Sequence, residues 1–214
     1  MKRVPTLAAI ADFLVHLIAN PHYGFFRDEL YFIICGMHPQ WGYVDQPPLI
    51  PLLAAATQLF GHSLLLLRAV PALFAAGGAY VTCLLVVEFG GGVFAQAFAA
   101  LVFFLTPVLM SFGMKVGTDE TGLLFWPLIA LAAVRIARGA SPQLWLVAGL
   151  AAGLCFDSKY SVPFFLAALL AGLLATPERR ILANGWLAAG AGLALLIALP
   201  NMLWQIHYGL PMLE

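Results

Sequence analysis

Long apolar stretches, interrupted by single charges or short charged clusters, run the length of the chain. Their length decides what they are. A helix needs about 20 apolar residues, with roughly 17–25 as the working range, to cross the hydrocarbon core of a bilayer. Reading between the charges gives candidate spans near residues 5–22, 69–87, 92–112, 119–138, 142–157, 160–177 and 186–204. The uncharged run 89–114 is longer than one span needs, so its ends near Phe89 and Met114 are expected at the interface. The run 121–134 is shorter and is extended by Thr118 and Gly139. The pattern predicts an all-α polytopic membrane protein, a single module over 1–214 with about seven transmembrane helices.

The uncharged stretch 46–67 reads differently. Pro47, Pro48 and Pro51 precede a run of about 12 residues, and Gly61, His62 and Ser63 end it. That suits an interfacial or re-entrant helix within a first external loop, 23–67. At the start, Lys2 and Arg3 resemble the charged region of a signal peptide. Asp12 interrupts the apolar run, however, and no small-residue cleavage site follows, so 5–22 is read as a retained span.

Composition sharpens this picture. Hydrophobic residues make up 63% of the chain and charged residues 9%, with a mean hydropathy of +0.95. A soluble domain carries about 45–50% apolar and about 25% charged residues, so a soluble globule is excluded. Disorder, coiled coil and a disulfide-stapled secreted scaffold fall with it. Zero net charge leaves no basic footprint for nucleic acid. Cys35, Cys83 and Cys155 are too dispersed for a metal cluster or redox pair and are read as packing residues.

Charge also sets the direction. With these spans Lys2, Arg3, Arg135, Arg138, Arg179 and Arg180 share one side, and Arg27, Arg68, Lys115 and Lys159 the other. The arginine pairs in short loops put the N-terminus in the cytoplasm and the C-terminus outside. Asp28, Glu29, Asp45, Asp119, Glu120 and Asp157 then gather on the external face, leaving Glu88 and Glu178 cytoplasmic. Acids do not set topology, so their clustering points to an external site that uses carboxylates. The long loop on that face agrees.

Several segments carry candidate chemistry, each with a plainer reading beside it. In RDELY, 27–31, Asp28 and Glu29 open an apolar helical stretch. They serve as helix-start charges, or as a general base or cation ligand facing a membrane-embedded substrate. In WGYVDQPP, 41–48, the prolines hold Asp45 and Gln46 extended below the interface aromatics Trp41 and Tyr43. The simpler alternative is a proline turn between interfacial helices. In KVGTDETG, 115–122, Thr118 is a candidate cap with Asp119, Glu120 and Thr121 in the first turn. Together with Asp28 and Asp45 this makes three acidic loops able to hold a hard cation through oxygens. In DSKY, 157–160, Lys159 snorkels or pairs with an acid, or meets the phosphate of a lipid-linked substrate. In PNMLWQIHYG, 200–209, an aromatic belt accounts for Trp204 and Tyr208 but not for Asn201, Gln205 and His207. Asp12 and His16, four residues apart in the first span, are expected to bond each other and to serve helix packing.

RDELY at 27–31, WGYVDQPPL at 41–49, GTDE at 117–120, SKYS at 158–161 and PNMLWQIHYG at 200–209 occur in that order over nearly the whole chain. The set resembles the dolichyl-phosphate-mannose protein mannosyltransferase-like family (family 39 type), a bacterial branch of the GT-C glycosyltransferases that includes lipid A aminoarabinose transferases. The resemblance implies the GT-C transmembrane fold and sugar transfer from a polyprenyl-phosphate donor to a lipid, glycan or protein acceptor. The implied setting is the external face of a bacterial inner membrane. It makes Asp28 the catalytic base, with Glu29 beside it and Asp119 in the second external loop. The donor and phosphate set it implies is Lys159, Tyr43, Asp45, Gln46, Gln205 and His207. The resemblance fixes no cofactor; a divalent cation at Asp28 and Asp119 is one option. Some relatives carry a lysine before the double proline; Gln46 stands there here, so a charged phosphate contact is missing at that position.

Family members typically have several more membrane helices and often a soluble C-terminal region. The expectation is therefore the N-terminal conserved half of the fold, with a second chain as one way to complete the cavity. The alternative is a truncated or non-catalytic membrane subunit that binds a polyprenyl lipid or a partner. A small transporter fits less well, because the ionisable residues gather at one face rather than at mid-membrane. No inverted repeat is detected in the sequence.

Overall fold

A computed structural model describes residues 3–213, which are helices joined by turns, without a strand among them. Lys2, one of the charges used above for orientation, lies outside the described residues. The chain divides into two compact units, residues 3–39 with 49–127 and residues 40–48 with 128–213. The first holds α1 (Arg3–Ala19), α2 (Arg27–Met37), α3 (Leu49–Gln58), α4 (Leu64–Glu88), α5 (Val93–Leu105) and α6 (Pro107–Met114). Helix α7 (Glu120–Ala137) begins there and ends in the second unit, which also holds α8 (Leu144–Phe156), α9 (Val162–Leu174) and α10 (Gly185–His207).

Helix length follows the punctuation of the sequence. Arg3–His22, α4, α7 and α10 are long and apolar enough to cross a membrane, and the protein is an integral membrane protein. The run expected as one span at 92–112 is broken, with α5 and α6 meeting at 67°. The cause is local. Thr106 precedes Pro107 and takes an extended conformation (φ −79°, ψ 110°), because the proline ring clashes with a helical residue before it. Pro107 then starts α6, where its missing N–H costs nothing. If this bent pair counts as one span, the total is five. The segments expected as spans at 142–157 and 160–177 form α8 and α9, each 13 residues long. At 1.5 Å per residue that is about 20 Å, against a hydrocarbon core of about 30 Å. The stretch 46–67 gives the ten-residue α3. Gly61, at φ +99°, ends it, and the Ser63 hydroxyl caps α4 by accepting the Leu66 N–H at 3.3 Å.

In the first unit, α1 packs along α4 with a polar stripe turned inward. Asp12, His16 and Asn20 are spaced one helical turn apart, and all are buried. His16 Nε2 lies 3.7 Å from Asp12 Oδ2, so the expected bond is a close approach rather than a hydrogen bond. The His16 ring occupies the space where a Cβ on Gly113 would stand, and Asn20 Nδ2 donates to the Gly113 carbonyl at 3.2 Å. The end of α6 is thereby seated on α1.

In the second unit α8 and α10 meet backbone to backbone. A Cβ on Gly149 would collide with the Gly190 carbonyl, and one on Gly190 with the Trp145 carbonyl. Helix pairs in membranes rely on such small-residue contacts, since lipid supplies no hydrophobic drive. Gly190→Leu is expected to destabilise the unit by at least about 1–3 kcal/mol. Gly192→Leu, at a position open to space, should leave thermal stability in detergent unchanged. Equal melting temperatures for the two variants would refute the close crossing.

Candidate active site

The start of α2 is fixed by a saturated ion pair. Glu29 is fully buried, and its carboxylate accepts from Arg68 Nε (2.8 Å), Arg68 Nη2 (2.8 Å), the Phe26 N–H (2.8 Å) and the Val116 N–H (3.3 Å). A carboxylate offers about four acceptor positions, so none is left over. Arg68 is equally committed. Beyond Glu29 it donates to the carbonyls of Asn20, Tyr23 (3.0 Å) and Gly24 (2.7 Å), which uses all five of its N–H groups. Such a buried pair survives only when its polar atoms are satisfied in this way. The neighbouring Asp28 is held in a different situation. Its side chain is 46% exposed and meets Arg27 Nε at 3.1 Å, and the Arg27 side chain is itself 92% exposed. An ion pair that open to solvent constrains little.

Asp28 lines a cavity of about 210 Å³ together with Phe32, Lys115, Gly117, Thr118 and Asp119. The segment that brings the latter residues there is pinned at Gly113 by Asn20, at Val116 by Glu29 and at Gly117 by Glu120. Glu120 opens α7 and is buried, with its two oxygens 3.1 Å from the Gly117 N–H. A carboxylate is favoured at that end of a helix. The Thr118 carbonyl accepts the Thr121 hydroxyl at 3.3 Å. Lys115 Nζ sits 4.0 Å from the centre of the Phe26 ring. In the sequence Lys115 is an external charge with no assigned role. The available signal was a lone cation three residues ahead of Thr118 in a loop otherwise acidic. Among the described residues no three His, Cys, Asp or Glu side chains converge as metal ligands. Asp28 and Asp119 supply two carboxylates to one cavity, a number that suits a Mg²⁺ completed by phosphate and water oxygens.

In the second unit the loop 40–48 is clasped by the end of α10. Asn201 Nδ2 donates to the Trp41 carbonyl (2.9 Å), Trp204 Nε1 to Gln40 Oε1 (3.1 Å) and Gln205 Nε2 to the Tyr43 carbonyl (3.0 Å). Tyr160 ties these together: its hydroxyl donates to Asn201 Oδ1 (3.0 Å) and accepts from Gln205 Nε2 (3.1 Å). Gln205 Oε1 accepts the Met212 N–H at 3.4 Å, so both ends of this buried amide are used inside the protein. Gly42 lies flat on Trp204, where a Cβ would come within 2.6 Å of the ring. Within the loop the Tyr43 N–H donates to the Gln46 carbonyl at 3.0 Å. Gln46 is buried, Asp45 exposed and Lys159 half-buried. His207 is exposed and sets its ring edge-on to Tyr208 at 4.9 Å. In the turn after α8, burial pushes the Asp157 carboxyl up to about 6. A cavity of this unit, about 350 Å³, is lined by Ile129, Trp145, Leu166, Leu170 and Ala194 among others and carries no charged side chain.

Comparison with known proteins bears on these sites. The family described as dolichyl-phosphate-mannose-protein mannosyltransferase matches residues 45–204, a stretch that includes Asp45, Asp119 and Lys159 and starts after Asp28. The lipid A galacturonosyltransferase RgtD of Rhizobium johnstonii is 28% identical over 186 residues, which make up 86% of this chain and 39% of that protein. The chain thus spans about two-fifths of the length of the curated relative it matches. No solved structure matches.

Proposed function

Since the chain belongs to the dolichyl-phosphate-mannose-protein mannosyltransferase family, we propose that it transfers a sugar from a polyprenyl-phosphate donor to an acceptor hydroxyl at the external membrane face. The observation that carries this reading is the pairing of Asp28 with Asp119 at one cavity while Glu29 is locked to Arg68. Of the two adjacent acids, Asp28 is the one with oxygens available to a substrate. It accepts the acceptor proton as general base. The anomeric carbon develops oxocarbenium character, and the acceptor displaces the phosphate in one step with inversion. Lys159 contacts the donor phosphate. Asp28 and Asp119 would hold a divalent cation where one is bound, and that ion would neutralise phosphate charge. A glycolipid acceptor is favoured by the name of the galacturonosyltransferase relative.

The isoprenoid chain of the donor lies on the apolar helices. In this reading α8 and α9 complete seven crossings of a bacterial inner membrane, with the N-terminus cytoplasmic. The loop clasp of Asn201, Trp204 and Gln205 serves to hold Tyr43, Asp45 and Gln46 in place.

The test is sugar transfer by purified membranes carrying this chain alone, supplied with a pool of radiolabelled polyprenyl-phosphate sugars. Labelled acceptor is expected. An inserted, intact protein that transfers no label would replace this reading with that of a lipid-binding subunit. Within the same assay Lys159→Ala is expected to raise the donor concentration needed for half-maximal rate by about 10- to 100-fold, the worth of one charge-assisted hydrogen bond. A normal donor dependence would remove Lys159 from the phosphate site.

A further inference from the structure

Lys115 is the one cation among the residues lining the cavity of Asp28 and Asp119. The chain fixes its backbone from both sides, through Asn20 to the Gly113 carbonyl, Glu29 to the Val116 N–H and Glu120 to the Gly117 N–H. Its side chain is treated differently. Among the described residues its ammonium sits over the Phe26 ring, 4.0 Å from the centre, and no carboxylate pairs with it. A ring face orients a cation but accepts none of the three N–H bonds that an ammonium offers to oxygen. A cavity bearing carboxylates and no cation would repel phosphate. With an oriented, unsaturated ammonium in it, the same cavity takes a phosphate beside a general base.

We infer that Lys115 is a phosphate-binding catalytic residue, which takes the phosphate of a polyprenyl phosphate and stabilises it as the leaving group. This deepens the proposed function and rests on its donor class. The charge balance gives the reason for a cation here. The donor is a phosphodiester carrying one negative charge. As the acceptor oxygen bonds to the anomeric carbon, the bond from that carbon to the phosphate oxygen breaks, and its electron pair stays on the phosphate. The acceptor proton goes to Asp28. The departing monoester therefore gains one negative charge, which falls within reach of a cation fixed in this cavity.

The experiment is equilibrium binding of decaprenyl monophosphate, with decaprenol as the uncharged probe, to the full chain in phosphatidylcholine nanodiscs. Lys115→Gln is expected to weaken monophosphate binding by about 10- to 100-fold and to leave decaprenol binding unchanged. Lys115→Arg should retain most of the affinity. In the unsubstituted protein, decaprenyl monophosphate should shield Lys115 from amine acylation read by mass spectrometry, which gives an answer even if the Gln variant fails to insert. Unaltered affinity in the Gln variant, or equal acylation with and without the lipid, would overturn the inference. So would displacement by inorganic phosphate, which would make this a site for the free ion. None of these readouts needs sugar transfer. Intact, Lys115-dependent binding without transfer would sink the proposed transfer and the leaving-group role with it, and leave Lys115 as a phosphate-binding residue.

Discussion

Asp28→Asn is expected to lower sugar transfer by about 10²- to 10⁴-fold, the usual worth of a positioned general base, while leaving the folded protein intact. The substitution keeps the shape of the side chain and removes its capacity to take a proton at neutral pH. Little else depends on the carboxylate. It is 46% exposed, and its ion-pair partner Arg27 is nearly all in solvent. Changes at such positions usually alter stability by less than about 0.5 kcal/mol. Initial transfer rates and melting temperature, measured on the same detergent preparation, separate the two effects. Parental turnover in the variant would remove Asp28 from the base role. A collapse of the melting temperature would mean that its activity loss says nothing about chemistry.

What could be read from the chain beforehand was set by the range of the interactions involved. Membrane helices are legible because an apolar run of the right length is a local property, and Arg3–His22, α4, α7 and α10 follow from it. The break at Thr106–Pro107 is local too, but it lies inside an uncharged run, and charge counting does not register it. Side-chain roles depended on distant partners. Asp28 and Glu29 are equivalent by position and charge; what separates them is Arg68, 39 residues further on, which takes one and not the other. Gln205 looks like a substrate contact in sequence because nothing nearby claims its amide. The acceptors of its Nε2, the Tyr43 carbonyl and the Tyr160 hydroxyl, are 162 and 45 residues away. The position of Lys115 is illegible for the opposite reason. A cation in an acidic loop is expected to pair with a neighbour, and only the fold sets it over Phe26 instead.

Glu29→Gln should fail in the opposite way from Asp28→Asn. Glu29 and Arg68 are 0% and 4% exposed, so removing one charge leaves the other buried without compensation, a loss of about 3–5 kcal/mol. The glutamine amide also presents N–H groups where Glu29 accepts from Arg68 and from the backbone of Phe26 and Val116. The loop at 20–24 and the segment carrying Lys115 and Asp119 should loosen together, because Arg68 also holds the Asn20, Tyr23 and Gly24 carbonyls. The expected result is a large fall in melting temperature and in the monodisperse fraction after detergent extraction. Arg68→Met should do the same. The double variant Glu29→Gln/Arg68→Met should be less unstable than the sum of its parts, since no lone charge then stays buried. Transfer per folded molecule in Glu29→Gln decides between the two acids. If it stays within roughly tenfold of the parent at low temperature, Glu29 is framework and Asp28 the base. If stability survives and the per-molecule rate falls by the factor expected for a lost base, the assignment reverses, and the Arg68 pair becomes a device that holds the base rather than the loop.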